Sequence, residues 1–490
     1  MKVTMDVRAN LKILVLLATL GQLYAVDTIV NCPITGTHKC VCHPGVIDCE
    51  GHGMTSYPVL SNAGSYGILK LGNNSFFSIP ADAFSSTNMS EIDLTANSIS
   101  LVETGAFNGL TSVLQRLKLA NNSLTDLPLA ITSIQNLIEL DVSWNPIPGH
   151  RAGHGHSHGS DGLTDTIMRS IGKNLRKFSF GSRHMTSWPE TLDHLNRLEE
   201  LTVTGINLPY WPAQCFHGFE HTLTSLTIDG AILEAVPLGI SFLDHLKILH
   251  LNNLNVSPNF GDDSMISAPF STLSSTLEEL SLRYDGLTTF PEGIQDLRKL
   301  TRLILDGNNL EFVSDEAIKL LINSNVSYLS LQDCNLKRIP GAISNLRNLK
   351  ELDLSNNKIR SIESTDLRHL SSLNTLSLNL NPLIYISDNF SCGLDALRTF
   401  NLIDTSLREI TKSFKNLVTL RKLDLSNSKI DCTCDLTWIN YWINCRGASV
   451  QLIGDCETID QDIQSYVEVR LLRCPGFPTD RRDFTCGSNC

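Results

Sequence analysis

The sequence predicts an α/β repeat solenoid whose two ends are closed by disulfides. Three observations carry this. A short apolar pattern recurs through most of the chain, cysteines cluster before its first copy and after its last, and a leader at the N-terminus allows disulfides to form. The 490 residues carry 39 Lys+Arg against 51 Asp+Glu, a net charge of −12, with 42% hydrophobic and 18% charged residues. That is a folding composition. The acidic balance argues against nucleic acid as a partner, because a phosphate-binding surface needs clustered positive charge.

Residues 1–25 read as a signal peptide. Lys2, Arg8 and Lys12 precede the apolar run Ile13 to Leu20, and a cleavage site follows at Ala25. Such a run is too short to cross about 30 Å of hydrocarbon as a helix. The far end, residues 476–490, is a polar tail holding Cys486 and Cys490. No apolar run long enough for a transmembrane segment or a lipid-anchor signal is visible. The expectation is a secreted, extracellular chain, in which disulfides persist.

Between these ends the pattern L-x-x-L-x-L-x-x-N-x-L repeats, most cleanly at Leu114 to Leu124 and Leu349 to Ile359. Its fourth position falls at Leu69, Ile92, Leu117, Leu140, Phe178, Leu201, Leu226, Leu249, Leu280, Leu303, Leu329, Leu352, Leu376, Phe400 and Leu423, about fifteen repeats. Most spacings are 23 to 26 residues, with longer steps of 38 before Phe178 and 31 before Leu280. One copy cannot bury its own apolar face, so neighbours must stack into a continuous core. Each copy supplies a short strand with positions four and six inward, and stacked strands form a parallel sheet. On the opposite side, Leu127-Pro128, Val236-Pro237, Phe290-Pro291 and Ile339-Pro340 introduce short helical turns.

On these motifs residues 66–430 resemble the leucine-rich repeat family. The resemblance implies a horseshoe with the sheet on its concave face. Cys32, Cys40, Cys42 and Cys49, within an N-terminal cap at 26–65, resemble the cysteine-rich cap of extracellular members. Spacing alone leaves three pairings open; the resemblance implies Cys32–Cys42 and Cys40–Cys49. A C-terminal cap at 431–475 contains Cys432, Cys434, Trp438, Trp442, Cys456 and Cys474, and the resemblance implies Cys432–Cys456 and Cys434–Cys474. Cys445 is an addition to that pattern. Cys334 stands in the Asn slot of its repeat, where the family tolerates a buried free thiol. The pairing of Cys215, Cys392, Cys445, Cys486 and Cys490 stays open, and the tail cysteines admit a disulfide-linked homo- or hetero-oligomer.

The repeat's Asn normally bonds backbone groups of adjacent turns. Asn74, Asn97, Asn122, Asn145, Asn308, Asn357 and Asn381 keep that role, whereas five consecutive repeats place Arg183, Ile206, Ala231, Leu254 and Asp285 there. Residues 178–290 are therefore expected to stack with altered curvature or twist. Some Toll-like receptor ectodomains have a similar ladder-poor middle near ligand contacts; degeneracy of old repeats is the plainer reading. The His/Gly-rich insertion at 148–166 holds His150, His154, His156 and His158, but its Gly and Ser leave the imidazoles unorganised. An exposed loop is expected there rather than a metal site.

On the outward face of the sheet, Trp144, His250, Arg283, Tyr284, Ile304, Tyr328 and Ile403 interrupt a mostly small polar surface. They are the candidate ligand-binding residues, since aromatic and Arg side chains dominate interface hot spots. Glycosylation sequons stand at Asn73, Asn88, Asn121, Asn255, Asn325 and Asn389, and glycans at Asn73 and Asn121 would crowd the first repeats. No nucleophile elbow, zinc-protease motif or phosphate loop occurs, so neither an enzyme nor a cofactor is expected. The expected function is recognition of an extracellular protein or glycan ligand. Resemblance to secreted leucine-rich immune proteins and Toll-like receptor ectodomains implies innate immune pattern recognition or receptor-type signalling. Slit-like proteins and small proteoglycans share the caps, which implies cell adhesion, axon guidance or matrix organisation as an alternative. A truncated ectodomain of a single-pass receptor is another.

Overall fold

A computed structural model describes residues 32–35, 40–60, 64–149, 162–254, 270–291, 293–311, 313–444 and 450–475. The expected signal peptide, most of the His/Gly-rich insertion, Asn255, Cys445, Cys486 and Cys490 lie outside the described residues. The chain divides into two compact units, 1–145 and 146–490.

The first unit is a ladder of short strands. An antiparallel pair, Val41–His43 with Val46–Asp48, opens it. Parallel strands Ile68–Lys70, Glu91–Asp93, Arg116–Lys118 and Glu139–Asp141 follow, one per repeat. Their register places Ile47, Leu69, Ile92, Leu117 and Leu140 side by side. The second unit continues the same construction. Phe178, Leu201, Leu226, Leu249, Leu280, Leu303, Leu329, Leu352, Leu376, Phe400 and Leu423 align across eleven parallel strands, and Leu452 of the C-terminal cap adds a twelfth. Every anchor residue of the sequence pattern is at most 1% exposed. Ile47 and Leu452 extend that row into the caps. Each cap thus covers the open core edge with a strand of its own as well as with its disulfides.

All four implied bridges are present: Cys32–Cys42, Cys40–Cys49, Cys432–Cys456 and Cys434–Cys474. Cys392 is also disulfide-bonded. Cys215 and Cys334 are buried free thiols.

The proline turns follow from backbone restriction. Pro128, Pro237 and Pro340 hold φ at −66°, −57° and −63°, and each starts a five-residue 3-10 helix: Leu129–Ser133, Leu238–Phe242 and Gly341–Asn345. Proline presets φ and lacks the N–H that a helix start would leave unpaired. The second residue of this helix is buried Ala130 or Ala342 in two repeats and Gly239 in the third. A Cβ at Gly239 would lie 2.6 Å from the Cys215 sulfur. The larger Cys in one repeat therefore requires the smaller Gly in the next.

Strand length varies with the Asn ladder. Strands are three residues long where the Asn is kept, but Glu200–Thr204, Ser225–Asp229 and Ile248–Asn252 run for five. In those repeats Ile206, Ala231 and Leu254 fill the Asn position and are at most 3% exposed. With no amide in the turn, sheet pairing carries on two residues further. Arg183 departs from expectation. It is exposed, and Ser182 is buried beside it at 4% exposure. A guanidinium in the apolar slot would be an unpaired buried charge, so the chain turns it out to solvent.

Candidate binding face

Residues on either side of each buried anchor point away from the core, because side chains alternate across a strand. In the second unit these positions form two linked polar chains. His250 Nε2 lies 3.0 Å from Glu279 Oε1, and the Arg302 Nε donates to Glu279 Oε2 at 3.0 Å. The Arg302 guanidinium in turn sits 3.8 Å from the centre of the Tyr328 ring. This is a cation–π contact held from behind by a carboxylate. Beside it, Arg283 pairs with Asp306 at 3.2 Å. Asp306 Oδ1 accepts from the Ser330 hydroxyl at 2.5 Å and from the Gln332 N–H at 3.0 Å. Gln332 Nε2 then donates to Asp353 Oδ2 at 2.9 Å. Burial pushes the Asp353 carboxyl above its ordinary range, and the charge of Asp306 adds to this.

These bonds belong to a second ladder on the sheet face. Asn252, Asp306 and Asn379 each accept, through a side-chain oxygen, the backbone N–H of the matching residue in the next repeat: Arg283, Gln332 and Ile403. Elsewhere Asp93, Asp141, Asp353 and Asp424 accept the N–H two residues on. Such carboxylates and amides have a structural job. They stand one or three residues after an anchor in several repeats, a spacing visible in the sequence.

The residue four places after the anchor has a left-handed backbone in fourteen of the fifteen repeats. Most of these are Gly, Asn or Asp, the residues that tolerate φ above zero. Trp144 (φ 59°), Tyr284 (φ 55°) and Leu380 (φ 55°) are the bulky exceptions, and Ala96 the small one. All three bulky side chains are exposed, at 44%, 53% and 54%. A bulky residue in this region costs about 1–2 kcal/mol, and neither burial nor packing into the core offsets it here. Tyr284 rests on Gly307, where a Cβ would fall 2.1 Å from the Tyr284 ring. Gly307 therefore makes room for the ring as well as for its own φ of 72°.

The sequence-predicted residues divide accordingly. His250 and Tyr328 join one network through Glu279 and Arg302, and Arg283 and Tyr284 stand next to each other beside it. Trp144 belongs to the first unit. Ile403 is half-buried, with its N–H held by Asn379. Ile304 is corrected: it is only 4% exposed. Its partners in register, Ser281 and Ser330, are at most 1% exposed. The whole row is buried, so an isoleucine there is not offered to a ligand. Arg302, Glu279 and Leu380 were missed by sequence reading. The left-handed position identifies Leu380; the two charged residues looked like ordinary surface. The five described sequon asparagines, Asn73, Asn88, Asn121, Asn325 and Asn389, are all exposed. Among the described residues no group of His, Cys, Asp and Glu could hold a metal ion, and no helix is long and apolar enough to cross a membrane.

The Leucine rich repeat family matches residues 87–147 and 324–383. The chain is 27% identical over 248 residues to Toll-like receptor 9 of Equus caballus; this is 50% of the chain and 22% of that receptor's length. Among solved structures it is similar to the mouse RP105/MD-1 complex (TM-score 0.53, 16% identity, 83% of this chain and 79% of that one). A leucine-rich repeat protein of Leptospira interrogans also matches, with TM-score 0.48, 21% identity, and 83% and 94% of the two chains covered. The first of these structural likenesses agrees with the strand ladders described above.

Proposed function

For a chain that is a leucine-rich repeat protein with cysteine-bonded caps at both ends, we propose an extracellular recognition module that takes a protein or glycan ligand on the sheet face of its second unit. The observation that carries this is Tyr284. It is a large, exposed aromatic kept at a backbone position that favours Gly, Asn or Asp, beside the Arg283–Asp306 pair and the Arg302–Tyr328 stack. Strain retained at an exposed residue points to a use for that residue. Aromatic and Arg side chains held in place by neighbours lose little freedom on binding, which favours hot spots. The partial match to a Toll-like receptor supports innate immune recognition or receptor-type signalling as the setting. The chain spans 22% of that receptor's length, so the receptor's activity is carried over only as part of this proposal.

The test is binding of the purified glycoprotein to microbial and to host cells, with Tyr284→Ala and Tyr328→Ala beside the parent chain. The proposal expects strong microbial binding that falls at least tenfold in both variants. Binding to host cells alone would move the role to adhesion or guidance. Binding that both variants retain would remove the sheet face from it.

A further inference from the structure

Ladder asparagines show what their slot requires. Asn308 Nδ2 donates to the carbonyls of Leu282, Leu305 and Asp306, while Oδ1 accepts from Asp285 and Leu287 N–H. Asn357 does the same with Leu331, Leu354 and Ser355 on one side and Cys334 and Leu336 on the other. The slot therefore needs a donor as well as an acceptor. Cys334 meets the donor half with its thiol, which reaches the carbonyls of Leu305 and Gln332 at 3.3 Å each. Burial keeps that thiol protonated by pushing it up to about 12.

Asp285 occupies the same slot and is 8% exposed. Its Oδ1 accepts from the Leu254 N–H at 2.9 Å, as an asparagine oxygen would. Its Oδ2 is buried without any hydrogen-bond donor. By the register of its neighbours, an amide at 285 would donate to the carbonyls of Leu251, Leu282 and Arg283. An ionised carboxylate there would face carbonyl oxygens with no donor of its own, a buried charge without a partner.

We infer that Asp285 is held as a neutral carboxylic acid whose hydroxyl donates to the backbone in place of the missing amide, and that in this form it positions Arg283 and Tyr284 on the sheet face. The surrounding groups agree. From the preceding repeats come the Leu254 N–H and the carboxylate of Asp229, a like charge bound to Asn253. From the following repeat comes Asn308, and Arg283 on the same strand turns to Asp306 instead. Burial first, and Asp229 after it, push the Asp285 carboxyl up to about 8, against an ordinary 3.8. The unfolded chain releases this proton near its ordinary value while the folded chain keeps it. Stability from this group is therefore full below about pH 4 and is lost as pH rises towards 8.

The consequence for recognition rests on the sheet-face reading above; the protonation does not. Melting of the full chain is compared with Asp285→Asn from pH 4 to pH 9. Asp285→Leu, which copies Leu254 one repeat earlier, is the second variant. The expected result is a melting advantage of Asp285→Asn that is smallest near pH 4, widens to pH 8 and then levels. Asp285→Leu should run parallel to Asp285→Asn. A gap independent of pH, or one that widens towards acid, would overturn the neutral-acid assignment. With microbial cells as the probe, binding by the parent chain should fall from pH 6 to pH 9 while Asp285→Asn binding stays level. Level binding in both would overturn the positioning role and leave the protonation standing. No cell binding by either chain, with the melting gap intact, would count against the sheet-face reading alone.

Discussion

Tyr284 shows how one residue can oppose its own backbone. At φ 55° it holds a conformation that asparagine or glycine adopts at little cost. Replacing it with Asn should raise stability by about 1 kcal/mol and remove binding, read as a higher melting temperature with a lost cell-binding signal. A stabilised variant with intact binding would reduce Tyr284 to a tolerated irregularity. Gly307 tests the same point from below. Gly307→Ala places a methyl group into the Tyr284 ring and at an unfavourable φ of 72°. It should weaken binding at least as much as it weakens folding, whereas a change in melting alone would separate the two. Most of this was readable from sequence only in part. Tyr284 stood out as an aromatic on a polar face, but its strain is a property of the folded turn.

At the scale of the element, the Asn ladder and the longer strands are two answers to one requirement: buried backbone groups must be paired. Asn357 makes its five bonds from a single side chain that is 6% exposed. Asn357→Ala should cost roughly 2–4 kcal/mol, since several buried backbone groups lose their partners together. Ala231 occupies the same position without an amide, in a repeat whose strand runs for five residues. Ala231→Asn should therefore stabilise little or destabilise, measured by denaturant melting against Asn357→Ala. Near the C-terminal cap the ladder passes to hydroxyls: Ser428 Oγ accepts from the Thr405 N–H and donates to the Leu402 carbonyl. Loss of Asn at 206, 231 and 254 was visible in the sequence. The strand extension that replaces it was not, because pairing depends on the register of two neighbours at once.

For the whole molecule, repeats stabilise one another only through neighbours, so the ends carry a disproportionate load. The Cys434–Cys474 bridge closes a span of 40 residues. Removing it with paired Ser substitutions should cost about 4 kcal/mol of chain entropy. Loss of structure should start in the last repeats, read as early loss of amide protection around Leu423 and Leu452. Uniform unfolding throughout the second unit would instead make the cap dispensable to local order.

What the sequence determined alone was the repeat, its anchors and the cap cysteines. A fixed spacing of apolar residues admits only the inward face of a stacked strand, and resemblance supplied the bridges that spacing left open. What only the tertiary structure decided was which outward residues are offered. Ile304 and Tyr284 are both apolar residues on the outward side of a strand and turn. One is buried within its row, and the other is exposed and held above a glycine. That difference arises from repeats about two dozen residues apart in the chain, brought side by side only by folding.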